Sequence, residues 1–232
     1  MKRISKLTII KLVSILILLA VVITCTALVY HYDKGALPID AAIRDFAYQI
    51  RGEKGGFIYW VTRVFTELGY YPGVAIVLIS VGIYTKFDER FFLVAFAVLT
   101  MHLSNSEFKH IVLRPRPLEE FRWQVETSTS FPSGHSATAG VLYTSALMVV
   151  LHSDLSNKIK NVAKIVLPLT ILVVMTTRVI LGVHYFSDVL AGAAFGSVIA
   201  IAYSLLMDPA HKLYGLIVGK IKQLIKKEKT QD

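Results

Sequence analysis

Histidines, arginines, a lysine and an aspartate gather in three short stretches of a chain that is otherwise largely apolar. The stretches read KHIVLRPRP at 109–117, PSGH at 132–135 and TRVILGVHYFSD at 177–188. A charged side chain inside a membrane helix costs about 2.5–3.5 kcal/mol on insertion scales, so such residues are functional candidates. Each stretch adjoins the outer end of a predicted span, so the three are expected to meet at one depth and on one side of the membrane.

The cationic side chains in these stretches are suited to binding phosphate. Lys109, Arg116 and Arg178 would bring three positive charges together, and a guanidinium can contact two phosphate oxygens at once. The stretch from Ser133 begins a predicted helix, whose free N–H groups and dipole add a further anion site. Gly134 permits a close approach of the backbone to a ligand. The residues therefore predict a phosphate site that needs no metal.

Two histidines and an aspartate could add catalysis to this site. Because His184 and Asp188 are four residues apart, on a helical turn the carboxylate could hold the imidazole in one tautomer. A histidine oriented in this way can attack phosphorus and form a covalent phospho-enzyme. His135 approaches from another helix and can protonate the departing oxygen. Arg114 and Arg122 have a simpler interpretation, as anchors at the membrane interface.

The elements that must position these residues are membrane helices. The chain of 232 residues is 54% hydrophobic and 18% charged, whereas a soluble domain is usually about 25% charged. Apolar runs of about 20 residues, long enough to cross a bilayer, recur along the chain. They are Leu12–Tyr30, Leu68–Tyr84 (the shortest), Phe91–Leu113, Gly134–Leu151, Val162–Leu181 and Ser187–Leu206. The sequence predicts one all-α domain over 1–232, a polytopic bundle of about six transmembrane helices with interfacial helices after the first.

The distribution of positive charge predicts the orientation of this bundle. The net charge is +9, and the excess lies at both termini and between the fourth and fifth spans, which argues against a nucleic-acid partner. Basic segments favour the cytoplasm, so both termini are expected inside the cell and the three stretches outside. The residues concerned include Lys2, Arg3, Lys6, Lys11, Lys158, Lys160, Lys164 and Lys229. The first span is expected to stay as an anchor, and the basic tail, 207–232, to contact anionic headgroups.

The segment after the first span, 31–67, carries two predicted interfacial helices. Apolar residues recur at helical spacing over Ile39–Ile50, with charged residues on the other faces, which is typical of a helix that lies on a membrane. A second helix, Phe57–Leu68, follows a glycine-rich break. Two interpretations remain open for this segment: anchors at the level of the headgroups, or the wall or lid of a lipid site.

The three stretches, in this order and spacing, resemble the signature of the type-2 phosphatidic acid phosphatase superfamily. The signature reads K-x6-R-P, P-S-G-H and S-R-x5-H-x3-D, and here Thr177 stands where the family usually has serine. The resemblance implies a metal-independent membrane phosphatase with His184 as nucleophile, Asp188 as its orienting carboxylate and His135 as general acid. It also implies that the phosphate-binding residues are Lys109, Arg116, Ser133, Gly134 and Arg178.

Several functions stay open beside lipid phosphate hydrolysis. Membrane members of this family act on phosphatidylglycerophosphate or on undecaprenyl pyrophosphate, and the sequence does not separate the two. A phosphotransferase that passes phosphate to another lipid could use the same site. A transporter would more often place its charged residues near the midplane and in repeated halves. The expected partners are the lipid substrate and membrane lipids, with no cofactor and no obligate protein partner.

Overall fold

Every regular element in the described part of the chain is helical. The computed structural model describes residues 5–228. Two 3-10 turns, Glu67–Gly69 and Glu119–Phe121, accompany the α-helices. The α-helices are α1 (Lys6–His31), α2 (Pro38–Arg51), α3 (Phe57–Thr66), α4 (Tyr71–Thr85), α5 (Glu89–Val112), α6 (Gly134–Leu151), α7 (Asn157–Ile180), α8 (Phe186–Ser204) and α9 (Met207–Glu228). The all-α prediction is confirmed.

Three of the long helices begin with a polar capping residue that lies outside the apolar run of the sequence. The Ser5 hydroxyl accepts a hydrogen bond from the Thr8 amide at 3.0 Å and starts α1 well before the apolar run. Asp88 and Ser156 cap α5 and α7 in the same way. Such caps satisfy amides that have no partner inside the helix. They explain why these three helices begin earlier than the predicted spans.

Five helices are long and apolar enough to cross a membrane: α1, α5, α6, α7 and α8. The second predicted span, Leu68–Tyr84, corresponds to α4, which has 15 residues and is short for a crossing. The run Phe57–Gly69 and α4 together pass the same test, with a bend of 48° between them. Residues 5–228 therefore contain five candidate spans, or six if the bent pair forms one span.

The centre of the bundle is the pair α6 and α8, which the other spans surround. Glycines let these two backbones touch. A Cβ atom built on Gly196 would lie 2.0 Å from the Ala137 carbonyl oxygen, and one on Gly192 would lie 2.5 Å from the Ser133 oxygen. Glycine pairs of this spacing are typical of close helix contacts in membranes. Because Ser133 lies beside the first turn of α6, this contact also fixes the position of the PSGH stretch.

A polar contact at one end of the bundle identifies which helix ends lie together. The Lys11 ammonium of α1 is buried; it donates to the Ser204 carbonyl oxygen at 3.0 Å and lies 3.1 Å from His152 Nε2. The first turns of α1 thus share one end of the bundle with the last turns of α6 and α8. The three chemical stretches lie at the other end. Lys2, Arg3 and Lys229, which contribute to the predicted orientation, lie outside the described residues.

The close packing at Gly196 leads to a testable prediction about the thermal stability of the protein. Glycine in a helix is disfavoured relative to alanine by about 0.8–1.0 kcal/mol, so an alanine would help wherever space allows. Gly196→Ala should lower the thermal unfolding midpoint in detergent, because its methyl group meets the Ala137 carbonyl. Gly215→Ala in α9 is the matched control, since a Cβ atom there meets nothing within 4 Å. Equal midpoints for the two variants would contradict the close contact.

Candidate active site

The eight candidate residues come from four helices and two loops and meet at one end of the bundle. Lys109 lies on the last turns of α5, and Arg116 follows it in the loop 113–133. Ser133, Gly134 and His135 lie at the start of α6. The remaining three are Arg178 near the end of α7, His184 in the α7–α8 loop and Asp188 in the first turn of α8.

His184 and Asp188 lie close together, although they do not share a helical turn as the spacing predicted. His184 precedes α8, and Asp188 is the third residue of that helix. The Asp188 carboxylate accepts a hydrogen bond from the Tyr185 amide at 2.9 Å, which folds the loop back over the helix start. As a result Asp188 Oδ2 lies 3.4 Å from His184 Nδ1. Ser130 donates its hydroxyl to the same carboxylate oxygen.

The neighbours of His184 determine which ring nitrogen carries its proton. Arg116 Nη1 lies 3.1 Å from His184 Nε2. A guanidinium only donates hydrogen bonds, so Nε2 must be the unprotonated nitrogen and Nδ1 must carry the hydrogen. Burial lowers the pKa of His184 well below its ordinary value, and the charges of Arg116 and Arg178 lower it further. A neutral imidazole with a free electron pair on Nε2 is a competent nucleophile.

The arginines of the site share one carboxylate, Glu126, which the sequence did not single out. Its Oε1 atom accepts a short hydrogen bond from Arg178, and its Oε2 atom lies 3.5 Å from Arg116 Nη2. Burial lowers the pKa of Arg116 to about 10; Glu126 opposes that shift and Arg178 adds to it. Glu126 therefore occupies the place between two guanidinium groups that a phosphate group would fit. Nothing in a lone glutamate of a loop distinguishes it before folding.

The loop before α6 is tied to the same cations through its carbonyl oxygens. Arg116 Nε donates to the Ser128 oxygen at 2.6 Å, and the Lys109 ammonium donates to the Thr129 oxygen. Thr129 returns a hydrogen bond from its hydroxyl to the Lys109 carbonyl at 3.3 Å. These contacts hold the loop against the end of α5. Arg116 also lies beside His184, with its Nη1 atom 3.1 Å from His184 Nε2.

The start of α6 completes the site with a helix N-terminus and a second histidine. The Ser133 amide donates to the Asp188 carbonyl oxygen at 3.1 Å, so the first turns of α6 and α8 lie side by side. Unpaired amides at a helix start favour an anion. His135 is half-buried and stacks on Tyr70, with ring centroids 4.9 Å apart and planes 9° apart. Together with Gly134 and Lys109 it lines a cavity of about 460 Å³.

The interpretation of Arg114 as an interfacial anchor is wrong, because its side chain is fully buried. One guanidinium nitrogen lies 2.6 Å from Asp188 Oδ1, and another lies 2.8 Å from Asp40 Oδ2. Asp40 also accepts hydrogen bonds from the amide and the hydroxyl of Ser187. A buried charge needs such partners. The interfacial helix α2 is therefore connected through Arg114 to the carboxylate that orients His184.

The arrangement can bind a phosphate group, attack it with a nitrogen and donate a proton. Lys109, Arg116 and Arg178 supply positive charge, and His184 and His135 are the two side chains that could act as nucleophile and proton donor. Over residues 5–228, no three histidine, cysteine, aspartate or glutamate side chains are grouped as a metal site.

The buried network around Arg114 predicts that α2 contributes to stability through one carboxylate. Removing one partner of a buried ion pair costs roughly 3–5 kcal/mol, so Asp40→Asn should markedly lower the thermal unfolding midpoint. Asp45→Asn is the matched control on the same helix, because the Asp45 side chain is 59% exposed and pairs only with its neighbour Arg44. If the two variants unfold at the same temperature, Asp40 does not hold α2 to the site.

Proteins similar to this chain are found in bacteria. The chain is 33% identical over 147 residues to phosphatidylglycerophosphatase B of Bacillus subtilis (strain 168), covering 59% of this chain and 70% of the relative. A crystal structure of a transmembrane PAP2 type phosphatidylglycerolphosphate phosphatase from Bacillus subtilis has the same fold, with a TM-score of 0.72 at 24% identity. That likeness covers 84% of this chain and 96% of the other.

A second crystal structure, of LpxE from Aquifex aeolicus, matches with a TM-score of 0.55 at 24% identity, over 68% of this chain and 92% of that one. The PAP2 superfamily itself matches residues 90–212. This range is more than half of the 232 residues and contains all three stretches. The chain belongs to the PAP2 superfamily.

Proposed function

We propose that this protein hydrolyses the phosphate of a membrane lipid of the phosphatidylglycerophosphate type, without a metal and through a phosphohistidine at His184. As a member of the PAP2 superfamily with a curated phosphatidylglycerophosphatase relative, the chain is a lipid phosphatase. The observation that carries the proposed chemistry is the 3.1 Å contact between Arg116 Nη1 and His184 Nε2, because a guanidinium only donates and so requires an unprotonated Nε2. Asp188 lies on the protonated side of the same ring.

The first step would transfer the phosphoryl group from the lipid to the enzyme. The electron pair of His184 Nε2 forms a bond to phosphorus while the bond from phosphorus to the lipid oxygen breaks. His135 gives its proton to that departing oxygen. Asp188 offsets the positive charge that develops on the imidazole. Lys109, Arg116 and Arg178 bind the non-bridging oxygens, where negative charge is stabilised, after Glu126 has moved away from the two arginines.

The second step would return the enzyme to its starting state. His135, now neutral, accepts a proton from a water molecule as that water attacks phosphorus. The bond between phosphorus and His184 Nε2 breaks, and inorganic phosphate leaves. An alcohol in place of water would make the enzyme a phosphotransferase with the same residues. Undecaprenyl pyrophosphate is the alternative substrate, because its terminal phosphate could occupy the same site.

The segment 31–67 is proposed to contact the lipid with its apolar faces. Phe46 and Ile50 of α2, with Met175 and Val179 of α7, line an apolar cavity of about 230 Å³. A cavity of this composition suits part of an acyl chain. It is separate from the cavity that reaches His135, so these side chains would affect lipid binding more than chemistry.

The active site is proposed to face the outside of the cell membrane. The support is the positive charge at the opposite end of the bundle, where the first turns of α7 carry Lys158, Lys160 and Lys164. In a Cys25→Ser background, a cysteine at Glu119 should react with an impermeant thiol reagent on intact cells. A cysteine at Asn157, equally exposed but at the other end, should react only after the cells are opened. The reverse pattern would invert the proposed orientation.

The two histidines should respond differently to the quality of the leaving group. His184→Ala removes the nucleophile, so turnover should be lost on every substrate. His135→Ala removes only the proton donor, which a good leaving group such as p-nitrophenolate scarcely needs. We expect this variant to lose most of its activity on a lipid phosphate and to keep a much larger fraction on p-nitrophenyl phosphate. Phosphate release with EDTA present is the measurement.

Two results would contradict this division of roles. One is recovery of His184→Ala with p-nitrophenyl phosphate, and the other is an equal loss by both variants on both substrates. His211→Ala is a suitable control, because this histidine of α9 is 77% exposed and contacts Glu89 at the start of α5, at the end of the bundle opposite to Lys109. It should not affect hydrolysis of p-nitrophenyl phosphate.

A further inference from the structure

We propose that the cavity next to His135 binds the glycerol segment of a glycerolipid phosphate, through Asn105 and Ser106 of α5. The proposal rests on the lipid phosphatase function and narrows its substrate class. The cleaved phosphate would be esterified to a glycerol carbon whose neighbour carries a hydroxyl or an ester oxygen. A polyprenyl diphosphate, which continues from its phosphates directly into hydrocarbon, would fit this cavity less well.

The cavity continues from the catalytic end of the bundle along α5. Its volume is about 460 Å³, and α4, α5 and α6 contribute to its walls. Lys109, Gly134 and His135 lie at its catalytic end, and apolar side chains such as Val74 and Leu99 line it elsewhere. A lipid whose phosphate lay at Lys109 could therefore extend into this space.

One face of α5 within the cavity is polar, although the helix crosses the membrane. His102, Asn105, Ser106 and Lys109 all line the cavity, and their spacing of three, four and seven residues places them on one face. At a rise of 1.5 Å per residue, Asn105 and Ser106 lie about 5–6 Å below Lys109. Burying a polar residue inside a membrane costs free energy, so residues of this kind usually have a function. This polar face of α5 lies where the atoms next to a bound phosphate would be.

Asn105 is the strongest sign that a ligand belongs here. Asn105 is 7% exposed, and its side-chain oxygen Oδ1 is buried without a hydrogen-bond partner. A buried polar atom without a hydrogen bond lowers the stability of the folded protein by about 1–3 kcal/mol. A Cβ atom on Gly134 would lie 3.7 Å from Asn105 Nδ2, so the amide is directly beside the helix start that faces the phosphate. A carboxamide both donates and accepts, and it can therefore pair with a hydroxyl or with an ester oxygen.

The charges of the cavity favour a neutral group at this level over a second phosphate. Of the described residues that line it, Lys109 is the only lysine or arginine. Arg116 and Arg178, the other cations of the site, pair with Glu126 and do not line the cavity. A second phosphate beside Asn105 would be buried without a cation of its own, which is costly. Glycerol oxygens need only hydrogen bonds.

The test compares substrates that differ in the group next to the phosphate. Wild-type protein, Asn105→Leu and Ser106→Ala are purified in detergent. Phosphate release is then measured from dioleoylglycerol phosphate, dodecyl phosphate, farnesyl diphosphate and p-nitrophenyl phosphate. Ser104→Ala is the matched control, since Ser104 is on α5 but does not line the cavity. Wild-type kcat/KM should be highest on the glycerolipid. Asn105→Leu should lower that value by about tenfold, the loss expected for one hydrogen bond at a buried site.

The same variant should leave dodecyl phosphate and p-nitrophenyl phosphate unaffected, because neither has a glycerol oxygen. Ser106→Ala should show the same selectivity with a smaller loss of kcat/KM. If Asn105→Leu does not fold, Ser106→Ala is the variant that tests the glycerol assignment. Equal losses on dodecyl phosphate, or a wild-type preference for farnesyl diphosphate, would overturn the glycerol assignment while leaving the phosphatase function intact. Failure of the function itself has another signature: the wild type would release phosphate from none of the lipids.

Discussion

The buried guanidinium of Arg114 is the interaction on which the geometry of the site depends. It lies between Asp40 of α2 and Asp188 of α8, and all three side chains are fully buried. Desolvation of each ion costs several kcal/mol, which only well-placed partners can offset. Both aspartates also accept the amide hydrogen bond at the start of their own helix. The network is therefore complete only when α2, α8 and the loop after α5 are all in place.

The consequence for chemistry is that Asp188 has little freedom. One of its oxygens is held by Arg114, and the other receives Ser130 and the Tyr185 amide and faces His184. A carboxylate held in this way keeps the imidazole proton on Nδ1 and leaves Nε2 available. Helix α2 thus has a structural connection to His184, the proposed nucleophile, through Arg114 and Asp188.

The cations of the proposed phosphate site are only partly neutralised by the residues around them. Arg116 and Arg178 share one carboxylate, and Lys109 contacts a carbonyl oxygen. This leaves an excess of positive charge, which suits a phosphate dianion. Glu126 satisfies the two arginines when no substrate is bound, and it belongs to a loop that can move more easily than a helix. Burial between these cations also keeps His184 neutral, because the pKa of the ring is lowered in their presence.

The linear sequence was sufficient for properties that depend on composition and on short-range spacing. Apolar runs predicted the spanning helices because crossing a bilayer requires that length of apolar chain, and the three stretches indicated the family. Helix starts at Ser5 and Ser156 were missed, since a cap is a single polar residue outside the apolar run. Asp40, Arg114 and Glu126 were not recognised as parts of the site because their partners are distant in the chain; Asp40 and Arg114, for instance, are 74 residues apart. Only packing of the helices brings such side chains together, and only burial turns an ordinary surface charge into one that must be paired.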